Sequence, residues 1–496
     1  MVYMPWILGN IPWTIGHAPW IIGNIPWHSA DIMSSEASLE VFLPCNLDSQ
    51  FTESTLHMDL HYKQELRERR QRLMERMGKD SVAILSSGPV HVRNRDVEYP
   101  FRTDSDFYYL TGFPEPEALA VLVPGSSQGE FLLFCRERNR KKEKWLGERA
   151  GIEGACNIYD ANDAFPIGDM DGILPDLLAD RKRVVHAMGR YPPFDRKITE
   201  WIDALKAKSR TSSAPTEFVT FDYLLHEMRL RKSQYEIDLI RKASEISARA
   251  HRRAMEMCRP GIMEYQIEAE LRHEFIRSGS RSSAYPSIVA SGRNTSVLHY
   301  TANNNVLEDG DLLLIDAGAE HQYYASDITR TFPINGRFEP AQRDIYQLVL
   351  EARKAAIAQI RPGNHFDESH RAAARVITEG LVTLGILKGR VDKLIKKEKY
   401  KKFFMHRTSH WLGLDVHDVG DYKVDKEWRT LEPGMVLTVE PGIYIRSGSK
   451  KVPKKWWDIG IRIEDDILVT ENGSEILTDN APRDIDEIER IVGSSA

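Results

Sequence analysis

The segment Asp311–Phe332, DLLLIDAGAEHQYYASDITRTF, constrains this chain more than any other. Two strand-like runs flank His321-Gln322. If those two residues form the turn, antiparallel pairing sets Asp316 directly opposite Asp327. Opposed side chains in a sheet carry their Cβ atoms about 4.5–5.5 Å apart. Two carboxylates that close repel, and the sheet is destabilised unless a cation lies between them. An Asp turned to solvent, or a turn placed elsewhere, would remove that requirement.

More acids and histidines follow. Phe404–Gly420, FMHRTSHWLGLDVHDVG, holds His406, His410 and His417. A lone histidine is commonly structural; three in twelve residues, interleaved with Gly and Trp, point to a site. Glu440 ends the apolar run Met435–Val439, and Glu464 lies inside Gly460–Val469, GIRIEDDILV. An acid inside a buried strand is costly without a partner, although an edge strand would let it reach water. His299-Tyr300 precedes the Asp316 strand. Asp316, Asp327, Glu440 and Glu464 together bring four negative charges, and His410 adds a neutral nitrogen. Two divalent cations would balance them. Oxygen-dominated ligation favours manganese over zinc, and a metal pair can lower the pKa of a shared water.

The rest of the chain narrows the class. With 496 residues, 42% apolar and 28% charged, it has material for two or three domains and is neither disordered nor fibrous. No run of 18 apolar residues is present, so no membrane-spanning helix is expected. A net charge of −6 offers no general positive field for nucleic acid. Cys45, Cys135, Cys156 and Cys258 form no CxxC pair, which suggests reduced thiols in a cytoplasmic protein.

The first 30 residues repeat Pro-Trp every seven positions, at 5–6, 12–13, 19–20 and 26–27. A proline in each heptad opposes a coiled coil. Residues 1–57 are therefore expected to be a leader segment, disordered or not native, with the mature chain starting near Met58; a Trp-rich docking tail is the other reading. Tyr62–Met77 is a basic helix with Leu66, Leu73 and Met77 on one face. Strand patterns follow at Ser81–Leu85, Ala118–Val123 and Glu130–Cys135, alternating with helices. Residues 58–232 then form a small α/β domain, closed by the basic connector Leu224–Lys232. Helices are expected at Tyr235–Ala254 and Glu264–Arg277, opening a second domain over 233–496.

LLLIDAG, SDITRTFP, SHWLGLDVHDVG, LEPGMVLTVEPGIYI and GIRIEDDI occur in that order. From about residue 60 to 490 the chain resembles the bacterial aminopeptidase P family of pita-bread metallopeptidases. Glu98–Pro116, EYPFRTDSDFYYLTGFPEP, resembles the N-terminal domain of that family rather than that of short prolidases. The resemblance implies an α/β (α+β) chain whose C-terminal domain is a curved antiparallel sheet flanked by helices, with pseudo-twofold halves. It implies that Asp316 binds one manganese, that Asp327 and Glu464 bridge two, and that His410 and Glu440 complete the second. It implies that His299, His406 and His417 line the substrate pocket, with His417 beside the developing oxyanion, and that Tyr285 and Arg462 orient ligands. It further implies a tetramer or dimer, in which Asp106 and Trp145 match positions facing a neighbouring active site. Arg407-Thr408 stands where the relatives carry Gly-Leu.

The expected activity is release of the first residue from peptides with proline second, with Glu440 carrying the proton. A Xaa-Pro amide has no N–H and a fixed φ, so a pocket built around the pyrrolidine ring can select it. A prolidase restricted to dipeptides would share the same ligands. A non-catalytic pita-bread binding protein, or a metal-free creatinase-like hydrolase, would be expected to have lost some of them.

Overall fold

The computed structural model describes residues 60–208 and 212–494. The Pro-Trp repeat and Cys45 lie outside them. Among the described residues no helix is long and apolar enough to cross a membrane.

Strands such as SVAILS and FLLFC are apolar at both parities, so they can bury both faces of a sheet. They do so in a six-stranded mixed sheet. Its order is Asp163–Pro166, Phe131–Cys135, Leu119–Leu122, Ser81–Ser86, Arg183–Val185, Glu217–Val219. Ser81–Ser86 runs antiparallel to Leu119–Leu122 and parallel to Arg183–Val185. Side chains alternate between faces. Val82 and Ile84 pack with Ile198, Trp201 and Leu205 of the helix Pro192–Lys208. Ala83 and Leu85 pack on the other side with Leu73 and Met77 of the helix Leu60–Met77. Each large apolar side chain so buried contributes about 1.5–3 kcal/mol.

The expected basic connector contains a π-helical turn, Asp222–His226, and a short helix, Glu227–Leu230. A reciprocal cap starts the next helix: Ser233 Oγ accepts from the Glu236 N–H, and Glu236 Oε2 accepts from the Ser233 N–H at 3.0 Å. Helices Gln234–Met257 and Glu264–Arg277 lead into the antiparallel strands Ile288–Ser291, Leu312–Asp316 and Thr329–Pro333. Helices Pro340–Ile357 and Asp367–Thr383 lead into Val436–Val439, Asp465–Thr470 and Gly473–Ile476. This repeated helix pair and three-stranded sheet is the expected pseudo-twofold. The halves meet where Glu464 N donates to Thr329 O at 3.0 Å and Thr331 Oγ1 donates to Arg462 O at 3.1 Å.

The register of the acidic hairpin differs from the expectation. Asp316 pairs with Thr329, and Glu320 with Ala325. The turn is therefore Gln322-Tyr323, one residue later, with φ of 47° and 70°. A two-residue turn with both φ positive matches the strand twist, but neither residue favours it. Tyr323 is held from the N-terminal domain instead: it stacks on Tyr108 at 3.9 Å, and the Arg102 guanidinium lies 5.2 Å from its ring. Moving the turn by one residue shifts the partners by two, which preserves the face. Asp327 thus lies opposite Gly318, diagonal to Asp316 rather than facing it, between the bonds Ala317 N to Ile328 O and Ser326 N to Ala319 O.

Asp106 and Trp145, matched by resemblance to positions facing a neighbouring active site, differ in exposure. Asp106 is 1% exposed and bonds to Arg229 Nη1 at 2.7 Å within its own chain. Trp145 is 88% exposed.

Candidate metal centre

Each acid reaches the site from a position that its strand fixes. Asp316 ends its strand; Asp327 sits in the gap opposite Gly318, where a Cβ would come within 1.8 Å of the Ser326 carbonyl oxygen. Glu440 follows Val436–Val439, and its N–H donates to Thr408 O at 2.8 Å. Glu464 precedes Asp465–Thr470. His410 is placed by two bonds to one residue: its backbone N–H donates to Thr438 Oγ1 at 3.2 Å, and its carbonyl accepts from Thr438 N at 2.9 Å.

Together with His299, His406, His417, Tyr285 and Arg462, these five residues line one cavity of about 440 Å³. Ligand atoms of Asp327, His410 and Glu464 all lie within 4.8 Å of one another. Asp316 and Glu440 border this cluster. The Tyr285 hydroxyl spans Asp316 Oδ1 at 2.7 Å and Asp327 Oδ1 at 2.5 Å, and Glu440 Oε1 is 3.9 Å from His410 Nε2.

The donor set suits cations. His410 Nδ1 lies 3.0 Å from the Trp411 carbonyl, which only accepts, so that nitrogen carries a proton. In the neutral ring Nε2 then presents a lone pair to Asp327 Oδ2, 3.4 Å away. Lone pair against carboxylate is repulsive unless a proton or a metal ion lies between. Burial alone would lower the imidazole, but the bond and charge of Asp327, then the charge of Glu440, push it up to about 9. Burial, with the charges of Asp327 and Asp316 against those of His410 and Arg462, pushes Glu440 up to about 7. Burial and then the neighbouring acids raise Glu464 well above the ordinary range; burial raises Asp316 despite Arg462. Without cations this group must take up protons; with them it need not.

Surrounding bonds hold the acids in place. Arg462 Nη2 donates to Asp316 Oδ2 at 2.6 Å, its Nε to Thr329 Oγ1 at 2.9 Å and its Nη1 to the Tyr444 hydroxyl at 2.9 Å. Thr329 Oγ1 donates to Glu464 Oε2 at 2.5 Å. Such outer bonds fix ligand orientation. His406 Nε2 meets the Tyr444 hydroxyl at 2.9 Å, and burial pushes this imidazole down to about 3, so it is neutral. The His417 ring lies edge-on to His410 at 4.4 Å. His299 is exposed at the mouth.

Thr329, Tyr444, Arg330 and Asp466 escape a reading by ligand type. Asp466 Oδ2 accepts from the Asp327 N–H at 3.0 Å and positions that residue. Arg330 is fully buried and bonds Asp465 at 2.8 Å and Glu464 O at 2.6 Å. A signal for both existed: three consecutive acids in an apolar strand require partners on both faces.

Residues 238–471 match the model of metallopeptidase family M24, and residues 66–186 match that of the aminopeptidase P N-terminal domain. The chain is 46% identical to the Xaa-Pro aminopeptidase of Escherichia coli strain K12, over 87% of this chain and 98% of that one. The chain belongs to the aminopeptidase P family of M24 metallopeptidases. Solved structures of the family share its pita-bread fold. Pseudomonas aeruginosa aminopeptidase PepP superposes with a TM-score of 0.87 at 55% identity, covering 89% of this chain and 99% of that one. Escherichia coli aminopeptidase P with the inhibitor Pro-Leu gives 0.84 at 46% identity, covering 88% and 98%.

Proposed function

We propose that this chain is a Xaa-Pro aminopeptidase, a metallo-aminopeptidase that releases the residue before proline from the start of a peptide. The observation that carries the reading is likeness along nearly the whole length of an enzyme of that name, both domains included. The cavity is consistent with it: five ligand-type residues at the floor, three histidines around them, and room for a short peptide end.

In this reading Asp316, Asp327, His410, Glu440 and Glu464 would hold two divalent ions. Four carboxylates against one nitrogen favour manganese. When bound, such a pair supplies hydroxide from a shared water near neutral pH and polarises the scissile carbonyl. The chain's own groups do the rest. Glu440, at the edge of the donor cluster, carries a proton from the attacking water to the leaving prolyl nitrogen. His417 faces the tetrahedral oxyanion, a contact worth a few kcal/mol at comparable sites, on the order of 2.7–4. His299 and His406 line the wall against the pyrrolidine ring. Tyr285 and Arg462 keep Asp316 and Asp327 in register.

Residues 58–232 serve as the supporting domain and 233–496 as the catalytic one, in a tetramer or dimer. Cys135, Cys156 and Cys258 are unpaired, which supports a reducing cytoplasm.

The test is hydrolysis of Xaa-Pro-Xaa against Xaa-Ala-Xaa by metal-stripped protein with manganese added back. Cleavage confined to the proline peptide, and dependent on the metal, is expected. Cleavage of Xaa-Pro dipeptides alone would make the enzyme a prolidase.

A further inference from the structure

Arg407 stands immediately beside the pocket residue His406 and lines the same cavity as the acidic floor. Its side chain is exposed. Among the described residues no carboxylate lies within salt-bridge distance of its guanidinium. Glu398 feels its charge, but that carboxylate is bound to Lys401 at 2.7 Å. What holds Arg407 is an indole: its guanidinium carbon is 5.2 Å from the centre of the Trp428 ring. Lys423 Nζ lies 4.6 Å from the same ring. Lys423 and Trp428 belong to a small hairpin, Lys423–Val424 with Glu427–Trp428. One indole therefore has two cations near it, of which Arg407 lines the cavity and keeps its planar donors free.

In the aminopeptidase reading the bond cleaved is the first of the peptide, so the peptide's amino end lies at the floor. Its carboxyl-side portion must then extend toward the mouth. An exposed guanidinium on the cavity wall, beside an indole and without a carboxylate partner among the described residues, matches a carboxylate in two-pronged geometry.

We propose that Arg407 is a specificity-determining residue, binding a carboxylate carried by the peptide beyond its proline. The inference rests on the aminopeptidase reading above. Two sources share this chemistry: the terminal carboxylate of a tripeptide, and an acidic side chain in the third position.

The experiment uses the full-length, manganese-loaded protein and two peptide pairs. One pair is Xaa-Pro-Ala as free acid and as amide; the other is Xaa-Pro-Glu-amide and Xaa-Pro-Gln-amide. The readout is the ratio of kcat/KM within each pair, which is independent of the active fraction of a preparation. A ratio of about 10 in favour of the carboxylate is expected in at least one pair, shrinking in about 0.5 M salt as an exposed ion pair does. In Arg407→Gln that ratio falls to near 1; in Arg407→Lys, which keeps the charge and loses the fork, it falls only part of the way. Discrimination in the first pair alone assigns the terminal carboxylate, and in the second alone the side chain. Ratios near 1 in the parent, or a ratio that survives Arg407→Gln, overturn the proposal. Failure to cleave any of the four peptides would instead bring down the aminopeptidase reading, and this inference with it.

Discussion

His410 turns its Nδ1 onto the carbonyl of Trp411 at 3.0 Å, and this bond aims the opposite nitrogen at Asp327. In the two-ion reading the same ring is a donor on one edge and would be a ligand on the other.

Removing that ligand should remove metal. In His410→Ala, manganese affinity measured by calorimetric titration is expected to fall about 100-fold or more, the upper range even for residues one shell further out. Asp327→Asn should abolish turnover while the circular dichroism spectrum stays that of the parent. Near-normal kcat in the Asn variant would remove the two-ion mechanism.

Gly318 is required by contact rather than by φ. A Cβ there would meet the Ser326 carbonyl oxygen at 1.8 Å, so Gly318→Ala must push the strands apart beside Asp327. A loss of about 1–3 kcal/mol is expected from overpacking, together with weakened manganese binding. Unchanged values of both in denaturant and metal titrations would contradict the structure at this point.

Arg229 joins the domains. It bonds Asp106 at 2.7 Å, Asp415 at 2.8 Å and Asp418 at 2.5 Å, and is almost fully buried. Arg229→Ala takes one cation from each of the buried Asp106 and Asp418, which keep Arg190 and Lys232, and should cost up to about 3 kcal/mol in urea unfolding. Burial alone would raise the Asp106 carboxyl, but Arg229, His226 and Arg190 hold it well below the ordinary range. Its contribution is therefore complete above about pH 4, the unfolded value, and is lost as pH falls toward the folded one. Asp106→Asn should flatten the acid limb of the stability curve.

His370 adds to the loss of stability in acid, over a higher pH window. Its Nδ1 lies 2.8 Å from Thr408 Oγ1, and burial, then the charges of Arg407 and Lys401, push it down to about 4. The unfolded chain binds a proton near pH 6.5 that the folded chain refuses until about 4, so stability drops as pH falls through that window. The drop attributable to this one group is up to about 3 kcal/mol. Its removal in His370→Gln, measured as the slope of unfolding free energy between pH 4 and 6.5, checks the assignment.

The expected helix Glu264–Arg277 has the observed limits, and the strands around Ser81, Leu119 and Phe131 lie where their apolar runs place them. Those features are local: they follow from side-chain period and from Gly and Pro at the ends. The burial of Asp106, by contrast, is not a local feature. Its partner Arg229 lies 123 residues away. Arg69 and Arg70 look solvated in a basic helix, yet both are buried; Arg69 lies 4.1 Å from the Tyr109 ring and 3.3 Å from Glu236.

By itself the sequence marked out the acids and histidines that line one cavity. Acids at the ends of apolar strands and a histidine-rich segment must find partners, because a charge taken out of water demands one. Only the tertiary structure decided how they meet. Gln322-Tyr323 became the turn because Tyr108 and Arg102 of the other domain secure Tyr323 there, and with that turn Asp327 moved from facing Asp316 to the diagonal across Gly318. The physical reason is range: strand period is set within a few residues, whereas register is settled by whatever packs on the turn.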